Sequence, residues 1–300
     1  EFAAYGASPY IGKGDKIAAD QGAVDMMRIE FNKIEMNSTI VIGEGEMDKA
    51  PMLHIGEKVG TNTGPEFDIA VDPLEGTTFT AKGLPNAFSV LAVTEKGNLL
   101  SAPDTYMEKI IIGSHLPLNL LDLDNSIEKN INLLADAKNK KPSELRACVM
   151  KRPRHEGIVR ALEQIGVKIN FITDGDIAGG LSVIGENAKN DIYLGTGGGP
   201  EGVIVAAALS CFGGQIQGRL ILNEEEIIRA KKLGITDFKK KYNIDEIVKG
   251  DVIFCASGVT SGDLAKGITT FTDKFEVTTL ALHKKKKLIK QLLTHIRDES

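Results

Sequence analysis

Apolar side chains recur along this chain at two spacings, about 3.6 residues and 2 residues, and the switches between them separate helices from strands. Between residues 17 and 36, Ala23, Val24, Met27, Phe31 and Ile34 share one helical face among Asp and Lys, which predicts an amphipathic helix. Residues 39–42 are a short β-branched run read as a strand. Phe67, Ile69 and Val71 then alternate with Asp68, Ala70 and Asp72 in the pattern of a half-buried strand. Pro73, with fixed φ and no N–H, is expected to stop it. Residues 87–93 and 99–102 read as a hairpin across 95–98. A helix over 126–137 precedes the polar run AKNKKPS at 137–143, where a domain boundary is expected.

Beyond it the rhythm is α/β: helix at 155–164, strand at 167–172, helix at 177–184 and strand at 191–194. The glycine-rich stretch GTGGGPEG at 195–202 is expected as a loop opening the apolar helix 203–211, with its backbone amides available to cradle an anion. It lacks the G-K-[ST] of a Walker loop. Residues 251–256 form a further strand, and residues 282–296 close the chain with a Lys-rich amphipathic pattern, in which 283–287 is read as a solvated face. The organisation expected is an α+β domain over 1–143 and an α/β domain over 144–300, the C-terminal segment packing back on the first.

At 300 residues and 42% hydrophobic the chain can bury the core of an ordinary globular protein. No apolar run reaches the roughly 18 residues of a membrane span, and the N-terminus lacks a secretory layout, so a cytoplasmic location is the expectation, with no membrane partner. Cys148, Cys211 and Cys255 are distant, odd in number and outside any C-x-x-C, so they are read as buried thiols. A formal charge of −5 argues against nucleic acid as a partner, and any phosphate substrate would need a local cation to reverse the field.

Three acidic, glycine-bearing segments carry the candidate chemistry: Gly43-Glu44-Gly45-Glu46, Asp72-Pro73-Leu74-Glu75-Gly76-Thr77 and Gly199-Pro200-Glu201-Gly202. Hard carboxylate and hydroxyl oxygens beside backbone N–H groups suit Mg²⁺ or Mn²⁺ holding a phosphate, and crowded carboxylates repel unless a divalent cation lies between them. Arg152-Pro153-Arg154-His155 supplies the positive complement, either as a surface segment or as a bidentate phosphate reader. Asp174-Gly175-Asp176 reads either as a strand exit with a helix cap or as a pair of hydroxyl acceptors. His54, His115, His283 and His295 show no ligand spacing, whereas His155 abuts the Arg pair.

Over nearly its whole length the chain resembles the class II fructose-1,6-bisphosphatases, within the lithium-sensitive phosphatase superfamily. The resemblance rests on eight strings in order: Gly12-Lys13-Gly14-Asp15-Lys16 with Ala19-Asp20, VIGEGEMDKAPML at 41–53, IGEKVG at 55–60, DIAVDPLEGT at 68–77, Tyr106-Met107-Glu108-Lys109, Pro153-Arg154-His155, Asp174-Gly175-Asp176 and GGGPEG at 197–202. It implies a layered α-β-α-β-α sandwich of the fructose-1,6-bisphosphatase and inositol monophosphatase type, and hydrolysis of the 1-phosphate of D-fructose 1,6-bisphosphate in gluconeogenesis. Sedoheptulose 1,7-bisphosphate hydrolysis and a non-catalytic sugar-phosphate regulator are the other readings. By the same resemblance Asp20, Glu44, Asp72, Glu75 and Glu201, with the Leu74 carbonyl, ligate two or more Mn²⁺ or Mg²⁺ ions. Thr77 aligns or deprotonates the attacking water, or itself attacks, with Asp20 as base and Lys16 and Glu46 balancing charge or protonating the leaving group. Glu75, Gly76 and Thr77 would line the 1-phosphate. Tyr106, Arg152, Pro153 and Arg154 would hold the distal phosphate, and Asp174, Gly175, Asp176 and Gly198 the sugar. A homo-oligomer, dimer or tetramer, is implied as well. The sequence departs from the family pattern at Arg152, where Lys is common, and at Thr78 and Thr105. It opens at Glu1-Phe2-Ala3-Ala4, short of the family's full N-terminal helix, and its 221–250 segment is shorter than in relatives.

Overall fold

The computed structural model describes residues 1–45, 52–185 and 188–297. Contacts divide the chain into two compact units, residues 1–101 with 249–300 and residues 102–248. The division falls elsewhere than at residue 143. The polar run there is only the link from one helix of the second unit to its next strand, and residues 249–300 belong to the first unit.

In chain order the first stretch supplies α1 (Phe2–Ala7), α2 (Lys16–Phe31), β1 (Ser38–Ile42), β2 (Lys58–Val59), β3 (Phe67–Glu75), α3 (Thr77–Lys82) and β4 (Phe88–Glu95). The second unit follows with β5 (Tyr106–Ile112), α4 (Ile127–Ala137), β6 (Arg146–Met150), α5 (Glu156–Gln164), β7 (Lys168–Ile172), α6 (Asp176–Leu181), β8 (Ile192–Gly198), α7 (Gly199–Phe212), β9 (Gln215–Ile221), α8 (Glu224–Lys232), β10 (Lys241–Asn243) and α9 (Ile244–Ile247). The chain returns to the first unit with β11 (Val252–Gly258), β12 (Thr269–Thr270), β13 (Lys274–His283) and β14 (Leu288–Arg297). Short 3₁₀ turns at Ser8–Tyr10, Pro142–Glu144 and Pro153–His155 link some of these.

Each unit is a mixed sheet with helices. The first sheet runs β12-β13-β11-β4-β3-β1-β2, with β14 on β13. In it β1 and β3 are parallel and the other pairings are antiparallel. Its helical face is built on small residues, Ala3, Ala7, Ala19 and Ala23, which let α1 and α2 lie close to Ile40, Ile69, Val71 and Phe275. The second sheet runs β10-β9-β5-β8-β6-β7. There α4 and α5 bury Ile131, Leu134 and Leu162 against Val149, Ile192 and Leu194, each burial contributing about 1.5–3 kcal/mol. Residues 203–209 of α7 are buried without interruption, as expected of a helix apolar on every side.

Three sequence expectations are corrected. Strand β3 is buried on both faces rather than one, residues 68–71 and 73–75 being buried without alternation. It also runs through Pro73: Asp72 pairs with Val90 and Glu75 with Phe88, so Pro73 and Leu74 face Ser89 together in a bulge that tolerates the missing N–H. The hairpin expected at 87–102 does not form. Only Leu99 makes an isolated bridge after β4, and the partners of β4 are β3 and the distant β11. The Lys-rich end of the chain is the β13–β14 hairpin, with Lys284–Lys287 as its tip. Cys148 is buried, which pushes its thiol up to about 11, while Cys211 and Cys255 are half-buried. Among the described residues no helix is long and apolar enough to cross a membrane.

Candidate functional site

Two groups of predicted residues occur, one in each unit. In the first, the parallel pairing of β1 with β3, Thr39 to Asp68, Ile40 to Ile69 and Ile42 to Ala70, points both strands the same way. Their C-terminal ends therefore deliver Gly43-Glu44-Gly45 and Asp72-Pro73-Leu74-Glu75-Gly76-Thr77 side by side, the position at which α/β sheets present their chemistry. Glu44 N–H donates to Leu53 O at 2.9 Å, closing the first loop. Asp72 Oδ1 accepts the Leu74 N–H at 3.1 Å across the bulge, and Glu75 ends the strand buried. At Gly76 φ is +83°, a left-handed turn that a side chain would strain, and it sets Thr77 as the first residue of α3.

The Gly12-Lys13-Gly14-Asp15-Lys16 string joins α3 to α2. Gly12 N–H donates to Thr80 O at 2.9 Å, Gly14 N–H to Ala81 O at 2.8 Å, and Asp15 Oδ1 caps α2 by accepting the Ala18 N–H at 2.9 Å. Lys16 then opens α2 exposed, and Asp20 follows one turn later on the same side, half-buried, with burial raising its carboxyl above the usual range. Glu46 lies outside the described residues. Among the described residues no three His, Cys, Asp or Glu side chains are placed to hold one metal ion. The structure thus brings the backbone segments of Glu44, Asp72 and Glu75 together without closing their carboxylates into a shell.

In the second unit the glycine-rich stretch is not a loop. Residues 195–198 continue β8, paired with β5 down to Gly198 opposite Tyr106, and α7 begins at Gly199 without an intervening turn. The glycines serve close approach by two carboxylates instead of an amide cradle. A Cβ on Gly197 would stand 2.0 Å from Asp176 Oδ2, and one on Gly198 1.6 Å from Glu201 Oε2. Between them lies Lys109, 1% exposed, its Nζ donating to Asp176 Oδ2 at 2.5 Å and to Gly198 O at 2.9 Å. Tyr193 Oη donates to the other oxygen of Asp176. Burial, then the charge of Asp176, raises the Glu201 carboxyl, with Lys109 opposing. Burial and Asp176 also push the Tyr193 phenol well above its ordinary value.

Asp176 is therefore turned inward, with one oxygen accepting from Lys109 and the other from Tyr193. Lys109 and Tyr193, which hold Asp176, were not among the residues singled out from the sequence. The available signal was a Lys between Met107 and Ile110–Ile112, a charge that such a strand cannot bury alone. Because the Gly198 backbone is extended with negative φ, Gly198→Ala is expected to act through the Glu201 clash alone, costing about 1–3 kcal/mol in thermal unfolding.

The arginines diverge. Arg154 donates to Thr196 O through Nε at 3.0 Å and Nη2 at 2.9 Å, and its guanidinium lies 4.8 Å over the half-exposed Tyr106 ring. Arg152 turns to the β7 side, donating to Thr173 O at 2.8 Å, and with Pro153, Met150 and Phe171 lines a cavity of about 660 Å³. Asp174 Oδ1 accepts the Gly175 N–H at 3.1 Å, and Gly175, φ +82°, starts α6. His155 is buried, Nδ1 on Met150 O at 2.7 Å and Nε2 accepting the Thr196 N–H at 2.9 Å. It anchors the arginine turn to β8.

The profile of the bacterial, glpX-encoded fructose-1,6-bisphosphatases matches residues 1–296. Fructose-1,6-bisphosphatase 1 class 2 of Escherichia coli K12 is 40% identical over 307 residues, covering 97% of this chain and 91% of that protein. The class 2 enzyme of Haemophilus influenzae is 40% identical over the same length, covering 92% of its own. Among solved structures, an extragenic suppressor from Pyrococcus furiosus aligns over 59% of this chain and 63% of its own at 19% identity, with a TM-score of 0.28. A mixed α/β fold with an acidic, hydroxyl-bearing strand end and full-length relatives of one chemistry defines an α/β phosphatase. Within that class, the chain belongs to the family of bacterial glpX-encoded fructose-1,6-bisphosphatases.

Proposed function

We propose that the chain hydrolyses the 1-phosphate of D-fructose 1,6-bisphosphate to fructose 6-phosphate and inorganic phosphate, a step of gluconeogenesis. Family membership supports the activity, and the observation that ties it to residues is the side-by-side exit of β1 and β3. The all-oxygen donor set of Asp20, Glu44, Asp72 and Glu75 fits a hard divalent ion, two or more Mn²⁺ or Mg²⁺ being the proposal, and Glu201 is retained as a ligand on its family motif. When bound, such ions supply charge neutralisation at the phosphoryl oxygens and a more acidic water.

The residues themselves do the remainder. Thr77 is held at the first turn of α3 by Gly76, where its hydroxyl aligns a water or passes its proton to a base such as Asp20. Lys16 and Glu46 are assigned charge balance near the leaving oxygen. Arg154, braced by Thr196 O and by Tyr106, keeps one guanidinium nitrogen beyond those bonds for the distal phosphate, and Arg152 with Pro153 extends that cationic turn. Asp174, Gly175 and Gly198 are assigned the sugar. The Asp-Pro-x-Glu-Gly-Thr element supports placement among the lithium-sensitive phosphatases, and three free cysteines suit the reducing cytoplasm.

The test is phosphate release from fructose 1,6- and sedoheptulose 1,7-bisphosphate with Mg²⁺, Mn²⁺ or chelator. Metal-dependent release from the fructose ester is expected, whereas turnover in chelator would sink the mechanism and tight binding without release would favour a regulator. Arg154→Ala is expected to raise KM about 10–100-fold, as loss of a charged hydrogen bond of about 1.5–3 kcal/mol implies, with a smaller change in kcat.

A further inference from the structure

Lys109 stands where stability alone does not call for a cation. It lies within β5, opposite Gly195 of β8 on one side and Gly218 of β9 on the other, in a strand whose Met107 and Ile110–Ile112 are buried. Burying an ion pair costs desolvation that the attraction between the charges only about repays, so apolar residues in place of both partners would serve stability as well. What the pair adds is geometry.

The Lys109 Nζ donates to Asp176 Oδ2, on the first turn of α6, and to Gly198 O, at the end of β8. These atoms belong to the two segments assigned the sugar, Asp174-Gly175-Asp176 and Gly198. No side chain can set their spacing from the β8 side, because positions 197 and 198 are glycine and a Cβ on Gly197 would stand 2.0 Å from Asp176 Oδ2. One ammonium sets it instead. Tyr193 Oη holds the remaining oxygen of Asp176, so the carboxylate is fixed at both ends. Asp174 follows Asp176, since the left-handed Gly175, φ +82°, forms the tight turn between them. The stem of Lys109 is fixed too: a Cβ on Gly202 would stand 3.2 Å from its Cδ, which seats it against the first turn of α7.

We propose that Lys109 is a positioning residue for sugar recognition, tying the entry to α6 and the end of β8 at the separation the fructose moiety requires. The proposal rests on the bisphosphatase reading above. Polar groups recognise a ligand only when held within about 0.5 Å of the productive geometry, and here that duty falls on a buried cation bonded to both segments.

Lys109→Met keeps the stem and deletes the ammonium. It is expected to raise KM for fructose 1,6-bisphosphate about 10–100-fold, with kcat per folded molecule within about threefold of wild type. Calorimetric titration with fructose 6-phosphate is expected to show the same weakening. A role in stability alone would lower kcat with the folded fraction and leave KM where it was. Lys109→Met with Asp176→Asn is expected to keep the raised KM while melting higher than the single variant. Should Lys109→Met fail to fold, Tyr193→Phe decides, because it frees one oxygen of Asp176 without stranding a charge, and KM is expected to rise about 2–10-fold. Wild-type turnover with an unchanged KM in the folded variants, or a KM that returns to wild type in the double variant, would overturn this proposal alone. Absence of phosphate release by the wild type would overturn the bisphosphatase reading and this proposal with it.

Discussion

Asp72→Ala is expected to reduce metal-stimulated phosphate release from fructose 1,6-bisphosphate by about 10³-fold or more. Metal stabilisation of transition-state charge supplies several kcal/mol, and each 1.36 kcal/mol is tenfold in rate. Asp72 stands at the bulge where β3 leaves the sheet, its Oδ1 receiving the Leu74 N–H. Loss of the side chain thus removes a carboxylate and the hydrogen bond that shapes the Glu75-Gly76-Thr77 exit. The conservative Asp72→Asn keeps an oxygen acceptor for the Leu74 N–H while losing the charge. It is therefore expected to hold the fold, by circular dichroism, and still lose most turnover. Retention of more than a tenth of wild-type activity in Asp72→Asn would refute a charge role for this residue.

Lys109→Met is expected to destabilise the second unit by about 3–5 kcal/mol, because it strands Asp176 and Glu201 as buried carboxylates without their cation. At about 2–4 °C per kcal/mol this lowers the melting temperature by roughly 10 °C. Lys109→Met with Asp176→Asn removes the orphaned charge as well and is expected to recover part of that loss. Thermal unfolding of the two variants beside the wild type measures the difference. A single variant that melts within two degrees of wild type, or a double variant no better than the single, would show that the buried ion pair does not hold this cluster.

These two residues also mark how far the sequence could be read. Asp72 was legible because chemistry and local conformation coincide: a strand pattern, a proline, a glycine and clustered oxygen donors within ten residues. Lys109 was not, because its partners lie 67 and 89 residues away and meet it only when β5, β8 and α6 are assembled. The glycines at 197–198 illustrate the same limit. Local reading takes three consecutive glycines as a flexible turn, whereas here Gly197 and Gly198 end a strand, each with a carboxylate where a side chain would stand, and Gly199 opens a helix. Pro73 misled for a related reason, since a bulge can absorb a missing N–H and nothing in the neighbouring residues announces one. The arginine pair looked like a single reader until backbone carbonyls of β8 and of the turn after β7 drew Arg154 and Arg152 apart.

By itself the sequence determined the mixed α/β character, about half of the helices and strands, the family, and the acidic strand-end segment on which hydrolysis is proposed to depend, because periodicity, caps and short motifs act over a few residues. Tertiary structure alone decided that residues 249–300 return to the first unit and that β1 and β3 exit together. It also decided that Asp176 faces a buried lysine. Those outcomes rest on strand pairings and buried charges contributed by residues far apart in the chain, whose energies exist only once the sheets are formed.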